Sequence, residues 1–145
     1  MKYNRSKNIF VDANVVVDYL LHRKHHTKNA ESFFEYASQK RFIVLYVSSF
    51  TFAIAYHRMQ QEEDVPHKIA LGLLEKLWHK VRCISVDGAI IQQAMKSGFD
   101  DYEDAVQYGC VQRMPGCDVI ISRDAKGFEL SSIPVMTPRL FLKIF

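Results

Sequence analysis

Asp12, Asp104 and Asp124 are the residues of this 145-residue chain whose type and position could do chemistry. Asp12 directly follows the apolar run Asn8-Ile9-Phe10-Val11. Asp124 lies just past Val119-Ile120-Ile121, and Asp101, Glu103 and Asp104 crowd the start of a helical stretch. Carboxylates gathered at one place repel one another, and burying them uncompensated is costly. A hard divalent cation such as Mg²⁺ or Mn²⁺ offsets that cost, because it takes oxygen ligands from a few carboxylates while keeping waters. Such a site suits phosphodiester hydrolysis: the metal lowers the pKa of a bound water, positions it and stabilises charge on the phosphate. Each acid also has a plainer role open to it. Asp12 can cap a following helix, and Asp101 with Asp104 fits an N-cap and an acid in the first turn. Asp124 can be ordinary loop surface, and Asp118 a residue that merely opens a strand.

Convergence decides between these readings, and it depends on the elements that carry the acids. Short β-rich runs at Asn8–Val11, Phe42–Val47, Val81–Val86 and Val119–Ile121, with Val135-Met136 as a short fifth, alternate with helical stretches. Ala30, Phe33, Phe34 and Ala37 fall on one face of a helix. Ser48 or Ser49 caps a helix to about Gln61, and Asp64-Val65-Pro66 reads as the start of another running to about Lys80. Asp87 opens a short helix to Ser97, and a helix from Tyr102 to Met114 stops at Pro115-Gly116. Strands separated by helical crossovers imply a mainly parallel sheet covered on both faces. The fold class expected is a three-layer α/β/α sandwich with four to five strands, in one domain over residues 1–145. In such sheets ligands bind outside the carboxyl ends of the strands, where Asp12 and Asp124 belong.

Composition bounds the rest. With 48% apolar and 12% aromatic residues the chain fills a core, which excludes wholesale disorder. Its net charge of +3 permits a polyanionic partner without demanding one. Cys83, Cys110 and Cys117 are odd in number and lack C-x-x-C spacing, so neither a disulfide framework nor a zinc knuckle is indicated. Asp12 and Asp18 interrupt the apolar amino-terminal part, as a signal peptide would not tolerate, and no stretch reads as membrane-spanning. A cytoplasmic protein is expected. Arg23, Lys24 and Lys28, among His22, His25 and His26, form a basic loop that could contact phosphates beside the acidic edge, as could Arg58 further along.

Phe10-Val11-Asp12-Ala13-Asn14-Val15-Val16-Val17-Asp18 resembles the opening F-D-x-N-V-x-x-D of PIN-domain proteins, the fold of VapC-type toxin ribonucleases. Asp101-Tyr102-Glu103-Asp104-Ala105-Val106-Gln107-Tyr108 is similar to the D-F-E-D-A-x-Q motif of one bacterial subfamily. Asp118 to Asp124 and Ile133 to Pro138 resemble its D-x-I-x-T-R-N/D and I-P-V-x-T-P ending. The resemblance implies an Mg²⁺- or Mn²⁺-dependent endoribonuclease acting on RNA, often dimeric and often the toxin held by an antitoxin protein. It also implies that Asp12, Asp104 and Asp124 are the catalytic metal-binding acids, with Asp101 and Asp118 as accessory ligands. Asn14 and Ser122 would orient ligands or water by hydrogen bonds.

Two departures stand out. Many PIN proteins carry an acid in a pattern like S-x-x-T-x-A-E, where this chain has Ser48-Ser49-Phe50-Thr51-Phe52-Ala53-Ile54. An acid usually precedes the phenylalanine of Ala125-Lys126-Gly127-Phe128. They leave a second reading open, a catalytically weakened PIN-like module that binds RNA or a protein partner. A phosphoacceptor domain fits less well, lacking an acidic pair before the end of the first strand and a lysine after a late one.

Overall fold

The computed structural model describes residues 5–21 and 26–145, and its centre is a five-stranded, wholly parallel sheet. Its strands are β1 (Lys7–Val11), β2 (Ile43–Ser48), β3 (Arg82–Ile84), β4 (Val119–Ile121) and β5 (Val135–Met136), in the order β3-β2-β1-β4-β5. The helices are α1 (Ala13–Leu21), α2 (Thr27–Ser38), α3 (Ser49–Glu63), α4 (His67–Trp78), α5 (Gly88–Lys96), α6 (Tyr102–Arg113) and α7 (Pro138–Ile144).

Strand alternation sorts the helices into two layers. Ile9 and Val11 of β1, Leu45 and Val47 of β2, and Val119 and Ile121 of β4 face one side, where they pack with α1, α2, α3, α4 and α7. Phe10, Tyr46 and Ile120, between them in sequence, face the other side, against α5, α6 and a 3₁₀ turn over Ala125–Phe128. Both sheet faces are therefore apolar, as the near-continuous hydrophobic runs demand. Burying each large side chain such as Phe10, Phe33 or Ile120 contributes roughly 1.5–3 kcal/mol. The α/β/α fold class expected from the alternating pattern is what forms.

Three local differences have physical causes. Asp64 does not open α4; it ends α3 in the left-handed region at φ 47°, a conformation Asp tolerates, and Val65 N–H donates to Met59 O at 3.1 Å. Pro66, with its fixed φ, then precedes α4. The third strand is shorter than Val81–Val86, because Val86 N–H leaves the ladder to donate to Ser49 Oγ at 3.0 Å. The carboxyl-terminal residues form α7, capped by Thr137 Oγ1, which accepts from Leu140 N–H at 3.0 Å, with Pro138 in the first turn. Phe141 on α7 is fully buried and meets Phe33 edge-on at 5.3 Å between ring centres.

The connections from β1 lead to β2 on one side, while β4 pairs on the other. The strand order thus reverses between β1 and β4, and the crevice lies beyond Val11 and Ile121.

Candidate active site

Asp12 closes that crevice from below. Its N–H still donates to Ile121 O at 2.9 Å, so it leaves the sheet in register with the end of β4. Its carboxylate is 1% exposed. Ser122 Oγ donates to Oδ2 at 2.7 Å, and Gln107 Nε2 donates to Oδ1 at 2.9 Å. Gln107 Oε1 in turn accepts from Ala13 N–H at 2.9 Å, which fixes which way the amide faces. Burial pushes the Asp12 pKa up, while the bonds from Ser122 and Gln107 hold it back. The capping alternative is the lesser part of its role, since Asn14 N–H reaches Oδ1 only at 3.4 Å. Asp12 is the junction that ties the ends of β1 and β4 to α6.

Above it stand the acids of α6 and of the loop after β4. Asp101 is the N-cap of α6, its Oδ1 accepting from Asp104 N–H at 3.0 Å, so its plainer reading is realised. Asp104 lies one turn before Gln107 on the same helix. Its pKa rises from 3.8 to about 7, first by desolvation and then by the negative charges of Asp12, Asp101, Glu103 and Asp124. Desolvation also raises the pKa of Glu103, against the pull of Arg58. Asp124 N–H donates to Ser122 Oγ at 3.0 Å, and Asp124 Oδ1 accepts from Gly127 N–H at 3.2 Å. Asp124 is thus the cap of the 3₁₀ turn as well as a neighbour of Asp104.

Gly127 marks the meeting point of these acids. A Cβ there would lie 2.5 Å from Asp104 Oδ2 and 3.2 Å from Asp124 Oδ2, so the two carboxylates share the space its missing side chain leaves. That space opens into a cavity of about 330 Å³. Among the described residues six carboxylates line it, from Asp100, Asp101, Glu103, Asp104, Asp124 and Glu129, together with the cations Arg58 and Lys126. Arg58 Nη1 donates to Asn14 Oδ1 at 2.8 Å, which anchors a guanidinium across the mouth.

The sequence-derived set is brought together only in part. Asp12, Asn14, Arg58, Asp101, Asp104, Ser122 and Asp124 converge at the carboxyl edge. Asp118 does not: it precedes β4, at the opposite edge, where Oδ2 accepts from Asn8 N–H at 2.8 Å and Oδ1 pairs with Arg5 at 3.2 Å. A metal role for Asp118 is therefore corrected to an edge clasp. Lys28 is exposed on the first turn of α2 and does not line the cavity. Arg23 and Lys24 lie outside the described residues. Ile54 turns to the apolar layer around α1 to α4, and Arg58, one helical turn on, is what α3 presents to the cavity.

Among the described residues no three His, Cys, Asp or Glu side chains are already gathered as a cage for an ion. What fits is narrower. Two hard carboxylates, Asp104 and Asp124, face one gap beside a glycine, and Mg²⁺ commonly takes one or two carboxylates with water completing its shell. Gln107 was missed as a site residue. Its signal was present, because it sits three residues after Asp104, hence on the same helix face. No helix among the described residues is long and apolar enough to cross a membrane.

Comparison with known proteins bears on the family and the fold. Residues 8–126 match the family model described as a PIN domain. The chain is 27% identical over 141 residues to ribonuclease VapC1 of Aquifex aeolicus, covering 94% of each chain. Its fold is similar to that of Mycobacterium tuberculosis VapC20, a sarcin-ricin-loop-cleaving toxin, with TM-score 0.63, 17% identity, and 85% of this chain and 95% of that one covered. It is also similar to a chain of the Rickettsia felis VapBC2 structure, solved with a DNA fragment from the promoter. There the TM-score is 0.58 at 10% identity, with 90% of this chain and 98% of that one covered. With the family model spanning most of its length, the chain belongs to the PIN-domain family.

Proposed function

We propose that this protein is a PIN-type endoribonuclease dependent on Mg²⁺ or Mn²⁺, a cytoplasmic toxin that acts as a homodimer and is held by an antitoxin protein. The observation that carries the reading is the pair Asp104 and Asp124 facing one gap at Gly127, beside buried Asp12 at the sheet's switch point. Asp104 and Asp124 would hold the ion, which when bound supplies an acidified water and charge neutralisation at the phosphate. Asp12 stays behind them, its two oxygens held by Gln107 and Ser122, and so fixes the loop that carries Asp124. Arg58, oriented by Asn14, and Lys126 face the same cavity and would receive the scissile phosphate. The toxin role draws its support from the VapC relative and the VapBC2 fold neighbour.

Incubating a mixed single-stranded RNA pool with Mn²⁺ or Mg²⁺, for wild type and Asp12→Asn, tests the proposal. Internal cleavage that needs the metal and disappears in Asp12→Asn is expected. A second reading, a weakened module that binds RNA or a protein, is favoured by Ile54 packing into the apolar layer of α1 to α4. RNA that is bound but left intact under every metal condition would select that reading.

A further inference from the structure

A second concavity opens at the same sheet edge, on the far side of the Ser122–Asp124 segment. It encloses about 270 Å³, and His26, Asn29, Arg123, Thr137 and Arg139 surround it over a floor containing Asp18. Its character is opposite to that of the acidic cavity. Arg123 Nε lies 2.7 Å from Asp18 Oδ2, and Asp18 is 1% exposed, so a buried carboxylate fixes where this guanidinium stands. The Arg123 side chain keeps 30% exposure, and a guanidinium carries five donors, so it can face solvent while anchored. Arg139 is exposed in the first turn of α7, where helix electrostatics favour an acid. Two guanidiniums from the segments after β4 and β5 are thus presented at one concavity.

The acidic cavity poses a problem for a polyanion. Among the described residues six carboxylates against two cations line it and repel a nucleic-acid backbone, and one bound divalent ion offsets only part of that. The phosphates flanking the reactive one need cations nearby, on the same edge. Arg123 sits between Ser122, which holds Asp12, and Asp124, which lines the acidic cavity. A strand leaving that cavity across this segment meets the basic concavity next.

We infer that the concavity at Arg123 and Arg139 is a phosphate-binding subsite that holds the backbone of a single-stranded RNA substrate beside the scissile position. It rests on the ribonuclease reading. The subsite grips the backbone, so it positions the strand and carries no sequence preference.

The test is equilibrium binding of a fluorescent single-stranded oligoribonucleotide of about 12 nucleotides, in EDTA and at several salt concentrations. Wild type is compared with Arg139→Glu and with Lys143→Glu, an equal charge reversal in the last turn of the same helix, away from the concavity. Glutamate suits the first turn of α7, so Arg139→Glu keeps its fold, as the far-ultraviolet spectrum will show. We expect Arg139→Glu to weaken binding about tenfold for every sequence tried, and the salt slope to fall by about 0.7 for each phosphate that is no longer neutralised. Lys143→Glu should stay near wild type. With Mn²⁺ present, Arg139→Glu should raise KM while leaving kcat unchanged. Equal affinity in wild type and Arg139→Glu overturns the subsite, as do equal losses in both variants or no RNA binding by wild type. If binding falls as expected but wild type never cleaves RNA, the subsite stands and the ribonuclease reading is what fails.

Discussion

The two concavities at the carboxyl edge of the sheet share a segment and differ in almost every electrostatic respect. In the acidic one, six carboxylates outnumber the two cations among the described lining residues, and the pKa of Asp104 climbs to about 7, first by desolvation and then by its like-charged neighbours. In the basic one, Asp18, the carboxylate among the described lining residues, is buried against Arg123 and fixes where it stands. The difference teaches that one edge of a parallel sheet can present two opposite electrostatic faces, an acid-lined cavity and an arginine-lined one, on either side of a single segment.

Asp104→Asn is the strongest way to break the comparison. It removes one of the two carboxylates at Gly127 and should lower kcat for RNA cleavage by at least about 100-fold, measured at saturating metal. Gly127→Ala should follow closely. Its Cβ would stand 2.5 Å from Asp104 Oδ2 and fill the gap, so we expect Mn²⁺ affinity to fall at least about tenfold, read by calorimetric titration, with the fold intact.

Gln107→Ala leaves the Ala13 N–H and the buried Asp12 oxygen each short of a partner. We expect a loss of roughly 2–4 kcal/mol in denaturant unfolding, larger than for any exposed residue of either concavity.

The pH dependence sharpens the contrast further. Asp104 binds its proton more tightly folded than unfolded. Stability from this group is therefore full near and below its ordinary value of 3.8 and falls as pH rises, the loss being complete above about 7. Discounted for solvent exposure, the fall is about 1–2 kcal/mol. In EDTA, Tm should drop by roughly 5 °C between about pH 5 and pH 7.5, and Asp104→Asn should flatten the curve. Burial of Glu103 and Asp12 acts in the same direction. Asp87, whose pKa is lowered mainly by its hydrogen bond with Arg113, acts oppositely, below this window.

Much of the acidic cavity was legible in the sequence, because parallel strands alternating with helices put residues that follow strands on one edge. Asp12, Ser122 and Asp124 could be placed that way. The same rule excludes Asp118, which precedes β4; only its place in a familiar motif drew it toward the metal. Gln107 was harder, since a buried glutamine between Val106 and Tyr108 looks like any polar residue on an amphipathic helix until its amide is seen joining α6 to the turn between β1 and α1. The basic concavity was hidden for a different reason. It depends on α7, a helix of 7 residues, too short for a hydrophobic period to show, so the sequence alone assigns Arg139 no position. Asp64 shows the remaining ambiguity: the same residue suits a helix start or a left-handed helix end, and only tertiary packing selects one.

The smallest expected effect concerns Ile54. Its side chain packs into the layer of α1 to α4, so Ile54→Glu costs roughly 1–2 kcal/mol of stability and gains no cleavage, as unfolding and RNA assays together would show.

Steady-state cleavage of one oligoribonucleotide by wild type, Asp104→Asn and Arg139→Glu, with Mn²⁺, tests the central claim most directly. The division of labour predicts a collapse of kcat in Asp104→Asn and a raised KM with wild-type kcat in Arg139→Glu. Undiminished kcat in Asp104→Asn would contradict it.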